Sequence, residues 1–274
     1  MIQKYISEHS FQVPKVFVPT SAYGHAPFFF WLFDVLSPKC TVELGSANGY
    51  TFFVFCQAAS SNGSSVYAID TWRGDVNTGS YGEEIYESVL CNLGNHFPNV
   101  DAFMLRSKFE DAVASFQDGS IDLIFIDGCH TYSAVKSDYE MWKPKMSERG
   151  VMVFHDTAVD AEDFGVLQFW NEISQEYDSI EFKHDHGLGV LPVGSSVPEL
   201  ILDLVRENDQ NKCSIRSAYA YLGERLTLQS QLESANLQNI KKEARINSML
   251  NSFSWQLTAP LRLGLDFIKV NKKC

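Results

Sequence analysis

Basic side chains are scarce in this 274-residue chain: 22 Lys and Arg stand against 34 Asp and Glu, a net charge of −12. The resulting negative field repels a phosphate backbone, so nucleic acid is not an expected partner. The six cysteines, at 40, 56, 91, 129, 213 and 274, include no Cys-x-x-Cys pair. That argues against a cysteine zinc site or a compact disulfide framework and fits a reducing compartment. No apolar stretch reaches the roughly 18–20 residues of a membrane span, and residues 1–16 carry an acid, Glu8, without a signal-type apolar core. A cytoplasmic location is the expectation. The dinucleotide fingerprint G-x-G-x-x-G is also missing, which makes a nicotinamide-dependent oxidoreductase the weakest of the enzyme readings.

What is present is a regular alternation of short apolar runs with helix-length segments. The runs Cys40–Leu44, Ser65–Ile69, Ala102–Leu105, Leu123–Ile126, Val151–Phe154 and Gly189–Val193 are apolar on both faces, as strands covered by helices on both sides must be. Helices are expected near Ala26–Leu36, Tyr50–Ala59, Glu83–Phe97, Phe109–Ser115, Ser133–Lys143 and Gly165–Glu176. The fold class is therefore α/β, a doubly wound, mostly parallel sheet. Residues 1–37 form an N-terminal helical cap segment, 38–198 the sheet domain and 199–274 a helical tail. The tail carries 8 acids and 11 bases against 26 and 11 in residues 1–198. Positions 228, 232, 235, 246, 249 and 253 keep a three-and-four spacing that Asn239 and Lys242 interrupt. A coiled coil that makes a homo-oligomer and a helix packed on its own domain both remain open.

Two strand ends carry the first chemistry. Thr41-Val-Glu-Leu-Gly-Ser-Ala-Asn-Gly-Tyr50 is a strand ending in an acid and running into a glycine turn before a helix. Gly45 and Gly49 permit backbone conformations and close approach that a Cβ would block. Glu43 there suits a cationic amino group better than a phosphate. About twenty residues on, Asp70 ends the second strand, where doubly wound folds hold ribose hydroxyls. Trp72 beyond it offers a flat face for an adenine.

Glu43-x-Gly45-x-x-x-Gly49 followed by Asp70 resembles the first two motifs of class I S-adenosylmethionine-dependent methyltransferases. With Asp70–Asp75, Ile121–His130, Tyr132, Asp138, Trp142, Pro144-Lys145 and His155-Asp156-Thr157, the chain from about 38 to 194 resembles methyltransferase family 24. The resemblance implies a seven-stranded Rossmann-like sheet with a C-terminal helical extension. It also implies an S-adenosylmethionine site of Glu43, Gly45, Ser46, Gly49 and Asp70, with Trp72 and Ser107 on the adenine side.

Ile124-Phe-Ile-Asp127-Gly-Cys-His130 and Val151-Met-Val-Phe-His155-Asp156 end two further strands. Methyl transfer needs the acceptor's proton removed and the reacting atoms held close, and His130 beside Asp127 suits the base. Two converging acids repel, and a divalent cation such as magnesium between Asp127 and Asp156 would relieve this. The spacing resembles metal-dependent catechol and macrolide-sugar O-methyltransferases, with His155 where the sugar enzymes tend to have a second acid. That leaves His155 as a ligand, a second base or a donor to Asp156. Loops bearing Asp75, Tyr81 and His184 are candidates for an acceptor pocket.

Asn251–Arg262 resembles a tail segment of bacterial enzymes that build surface polysaccharides, including glycosyltransferases. The Leu263–Lys273 stretch could rest peripherally on an inner membrane or dock on a glycosyltransferase. The expected function is methyl transfer to a hydroxyl of a sugar or glycan acceptor, in an O-antigen or capsule or its precursor. The rivals are an O- or N-methyltransferase of a small phenolic or natural-product acceptor, and a non-catalytic assembly protein acting through its helical tail.

Overall fold

The computed structural model describes residues 2–75, 79–162 and 164–258. The chain divides into two compact units, Met1–Thr227 and Leu228–Cys274, so the first unit runs past residue 198, where the sequence suggests that the sheet domain ends. In chain order the elements are α1 (Ala26–Leu36), β1 (Cys40–Leu44), α2 (Tyr50–Ala59), β2 (Ser65–Asp70), β3 (Gly74–Asp75) and β4 (Gly79–Ser80). Then come α3 (Glu83–His96), β5 (Ala102–Arg106), α4 (Phe109–Ala112), β6 (Ile121–Ile126), α5 (Tyr132–Trp142) and β7 (Met146–His155). The remainder are α6 (Val166–Ile173), β8 (Ile180–Phe182), β9 (Leu188–Pro192), α7 (Glu199–Arg206), α8 (Asp209–Leu250) and α9 (Phe253–Leu257).

Seven strands form one sheet in the order β5-β2-β1-β6-β7-β9-β8. Pairing is parallel from β5 through β7, and β9 joins β7 antiparallel with β8 beside it. This is the expected Rossmann-like methyltransferase sheet, doubly wound and mostly parallel. The order reverses at β1, so the carboxyl ends of β1 and β6 flank the crevice where ligands bind in such sheets.

Alternation along each central strand sends side chains to two cores. Leu123 and Phe125 of β6 and Val151 and Val153 of β7 join α1, α2 and α7 on one face. Ile124 and Ile126 of β6 and Met152 and Phe154 of β7 meet α5 and α6 on the other. The helix α1 is apolar except for the exposed Asp34 and almost wholly buried, as a helix clamped between a sheet and further helices must be. It ends at Ser37, whose backbone is left-handed.

Strand β8 has no clear signal in the sequence, because three residues are too few to show a period. The early turns of α8 pack in the first unit through Ile215, Tyr219, Leu222 and Leu226. In the second unit Leu228, Leu232, Ile246, Met249 and Phe253 are exposed. No helix of the described residues is long and apolar enough to cross a membrane. The stretch Leu263–Lys273, expected to rest on a membrane or dock on a partner, lies outside the described residues.

Candidate functional site

A cleft of about 620 Å³ opens at the carboxyl ends of β1, β2, β6 and β7. Its first half is the turn between β1 and α2. Gly45 has φ +88, and a Cβ there would stand 2.0 Å from the Asp127 carbonyl oxygen, so only glycine lets β1 and β6 close here. Gly49, at φ +85, is the N-cap of α2; it shapes the turn from behind rather than lining the cleft.

Asp70 at the tip of β2 organises this turn. Its Oδ2 accepts from the backbone N–H of Ser46 and of Ala47, each at 2.9 Å, and its Oδ1 accepts from Trp72 N–H at 2.7 Å. Asp70 also lines the cleft, and a carboxylate has about four lone-pair sites, so ribose hydroxyls can still be received.

Glu43 is 1% exposed and lines the same half. Burial pushes its carboxyl well above the usual range; Ser46 pulls it partly back, while Asp127 and Asp70 raise it further. Its Oε2 is buried without a hydrogen-bond partner. A buried carboxylate oxygen in that state is met by a cationic ligand group, which would supply both proton donors and counter-charge.

Trp72 is not where an adenine-stacking residue must be. It is fully buried, its left-handed backbone turns the indole inward, and its Nε1–H donates to the Ala47 carbonyl at 3.0 Å. The indole braces the glycine turn from the core. Ser107 is likewise outside the cleft wall: its N–H donates to the Asp70 carbonyl at 3.0 Å and its hydroxyl to the Lys108 carbonyl. The neighbouring Lys108, Phe109 and Glu110 line the wall in its place. Their position next to Ser107 was the only sequence signal for them.

The second half gathers around Asp156, a residue with φ +59 just past β7. A left-handed non-glycine backbone is strained, though Asp tolerates it better than most. His130 Nε2 lies 2.9 Å from Asp156 Oδ2, and the His130 ring stacks on Phe164 at 4.5 Å. His186 Nδ1 lies 3.2 Å from Asp156 Oδ1. His155 Nδ1 lies 3.2 Å from Asp127 Oδ1 and 3.4 Å from Asp156 Oδ2. Burial disfavours the charged His155 ring, but Asp127 and then Asp156 outweigh it and raise the ring well above the ordinary histidine value. Burial also works against the Asp156 carboxylate, and the His130 and His155 imidazoles beside it more than compensate, holding it below the usual range.

Asp127, His130 and Asp156 each offer one ligand atom within 4.8 Å of the others. His155, expected in that set, is not a member. His184 is not an acceptor-pocket residue either: its Nε2 meets the Gly24 carbonyl at 3.2 Å, and burial lowers its basicity. It helps pin the 184–187 loop to residues 24–25, where Gly24 N–H donates to Asp185 Oδ2 at 2.5 Å. The left-handed backbones of Asp185 and His186 reverse the chain, so His186 reaches the cleft two residues later. That side chain is 58% exposed against 15% for His130. Tyr81 lines the cleft. Asp75 lies on β3 and its side chain falls outside the described residues.

Residues 42–157 match the family model of a methyltransferase domain. An uncharacterized protein of Sinorhizobium fredii, y4gI, is 41% identical over 196 residues, covering 70% of this chain and 21% of that protein. The chain thus spans about a fifth of the length of this curated relative. A solved Staphylococcus aureus structure, described provisionally as a caffeoyl-CoA O-methyltransferase, superposes with a TM-score of 0.51 at 17% identity, over 65% of this chain and 86% of its own. The O-methyltransferase TomG of Streptomyces achromogenes, solved with S-adenosylmethionine, gives a TM-score of 0.46 at 16% identity, over 70% and 89%. At 17% identity the likeness is one of fold.

Proposed function

We propose that the protein transfers a methyl group from S-adenosylmethionine to a hydroxyl oxygen, and that the acceptor is a sugar of a bacterial surface polysaccharide or its precursor. One observation carries this reading. A single cleft presents a buried, half-satisfied carboxylate beside a glycine turn at one end and carboxylate-oriented imidazoles at the other. When bound, S-adenosylmethionine supplies an electrophilic methyl on its sulfonium.

The chain's own residues do the remainder. Glu43 Oε2 receives the amino group, Gly45 and Ser46 give the turn its close approach, and Asp70 receives the ribose hydroxyls. As the acceptor oxygen bonds to the methyl carbon and the carbon–sulfur bond breaks, the hydroxyl proton passes to an imidazole on Asp156. The resemblance assigns that proton to His130; the greater exposure of His186 at the cleft supports it as a second reading. Thr20, Ser21, Asn48 and Tyr81 on the cleft wall give hydroxyls and an amide for a polyhydroxylated acceptor.

A divalent cation at Asp127, His130 and Asp156 would polarise the acceptor hydroxyl; its support is the 4.8 Å convergence of their ligand atoms. Self-association through the exposed apolar residues after Leu228 is a proposal of the same standing. Incubation with methyl-labelled S-adenosylmethionine and a panel of nucleotide sugars and lipid-linked glycans tests the function. Label on a sugar oxygen is expected. Failure to bind S-adenosylhomocysteine in calorimetry would overturn the reading and favour a non-catalytic assembly role, and label on a phenolic acceptor alone would reassign the substrate.

A further inference from the structure

From residue 231 to Leu250, where it ends, α8 is exposed on every side. Among the described residues of the second unit, Ser230 alone is buried. A helix with no face covered draws nothing from packing, and packing supplies most of the stability of helices in water. Such a segment is completed by another surface.

The spacing of its own residues shows which surface fits. Leu228, Leu232, Ala235, Asn239, Lys242, Ile246 and Met249 follow one another in alternating steps of four and three, so they form a single seam along α8. At 1.5 Å per residue the stretch from Leu232 to Met249 is about 27 Å long. Leu250 flanks the seam, whereas Leu237 and Ile240 lie off it. Phe253, the next position of the spacing, comes after the extended backbone of Ser252 that separates α8 from α9, and the seam is counted without it.

Two copies of this seam can meet in two directions. In a parallel pair each residue faces its own twin. Lys242 would then meet Lys242 of the second copy, two like charges in one layer, and Ala235 would meet Ala235 and leave a gap. In an antiparallel pair, with the two-fold axis between residues 240 and 241, Leu232 meets Met249, Ala235 meets Ile246 and Asn239 meets Lys242, each pair occurring twice. The small side chain faces a large one, and the Lys242 ammonium can donate to the Asn239 side-chain carbonyl. On the flanks Glu243 faces Asn236 and Arg245 faces Gln238, so no like charges meet. A slip of one heptad would set Lys242 against Leu232 or Ile246 and Asn239 against Ala235 or Met249, leaving both polar groups without partners.

We propose that the second unit binds a second copy of this chain, antiparallel along Leu232–Met249, with Asn239 and Lys242 as the polar layers that set direction and register. This names the geometry of the self-association proposed above and does not rest on methyl transfer. The two residues that interrupt the apolar spacing are thereby each other's partners. Polar layers of this kind give up some stability and exclude the other alignments.

Sedimentation equilibrium of the full chain tests this, in reducing buffer so that the exposed Cys91 and Cys213 do not cross-link copies. The wild type is expected to show a monomer–dimer equilibrium. Leu232→Gln with Ile246→Gln removes apolar contacts from four layers and is expected to weaken the dimer at least about a hundredfold. Leu237→Gln with Ile240→Gln, off the seam, is expected to leave it unchanged. Direction is read from Asn239→Glu: in the antiparallel pair each new carboxylate faces Lys242, and the dimer is expected to tighten about threefold or more, a gain that added salt removes. In a parallel pair the two new carboxylates would face each other and the dimer would weaken.

A monomer at every concentration overturns both the self-association and this geometry. A dimer that the off-seam pair disrupts and the seam pair does not, a trimer, or a dimer that Asn239→Glu weakens overturns the geometry alone. A dimer that passes all three variants while no acceptor takes up a methyl group sinks the methyl-transfer reading alone.

Discussion

Asp138 offers a measurable consequence of the way the site is built. It lies on α5 with its Oδ2 against Gly128, directly behind the turn that carries Asp127 to His130. Burial, and to a lesser degree Glu110, push its carboxyl up to about 7 from an ordinary 3.8. The sign of the effect on stability follows from linkage. Below pH 3.8 the carboxyl is protonated in both states and nothing is lost; as pH rises toward 7 the unfolded chain releases the proton while the native protein holds it, and stability falls. Above about 7 the native carboxyl ionises as well and the loss levels off.

A difference of about three pH units at about 1.4 kcal/mol each amounts to about 4 kcal/mol at pH 8, and roughly half that near pH 5.5. Asp138→Asn removes the ionisation and keeps the shape. Urea unfolding across that range is expected to show the variant more stable than wild type by a margin that grows by about 2 kcal/mol from pH 5.5 to 8. Superimposable pH profiles, or a margin that shrinks as pH rises, would refute the reasoning.

Gly45→Ala places a methyl group 2.0 Å from the Asp127 carbonyl, so β1 and β6 must part at the site; calorimetry is expected to find S-adenosylhomocysteine affinity at least about a hundredfold lower, together with a lower melting temperature. Glu43→Gln replaces the carboxylate that receives the amino group, and is expected to weaken S-adenosylhomocysteine about tenfold or more while the unliganded variant melts no lower than wild type at pH 8, since burial opposes the ionised acid. His186→Asn, chosen because Asn accepts the left-handed backbone at that position, is expected to reduce kcat/KM for the acceptor about tenfold or more with S-adenosylhomocysteine affinity unchanged; an equal loss of both would remove His186 from the acceptor side. Trp72→Phe, which takes away the indole donor to Ala47, is expected to cost about 1 kcal/mol in urea unfolding.

The residues settled by the chain's local order are those whose role depends on strand and turn alone. Glu43, Asp70, Asp127 and Asp156 each end a run of apolar residues, and a doubly wound parallel sheet carries all such ends to one rim. Gly45 follows from the turn that joins β1 to α2. The sequence could therefore bring the donor half and the two acids of the second half to one cleft. Helices α1 and α2 were equally legible, because their apolar residues leave no polar face to misplace.

What only the tertiary structure decided depends on directions that no spacing encodes. His184 and His186 are two residues apart, and the left-handed backbones of Asp185 and His186 turn one toward Gly24 and the other toward Asp156. Trp72 follows Asp70 by two residues, yet its own left-handed backbone sends the indole into the core. From its place beside Asp156 in the chain, His155 reads equally as a ligand, a second base or a donor to Asp156. Its character is set by Asp127 on the neighbouring strand and by the Asp185 carbonyl on a distant loop, and a charge in a buried site answers to whatever surrounds it in space.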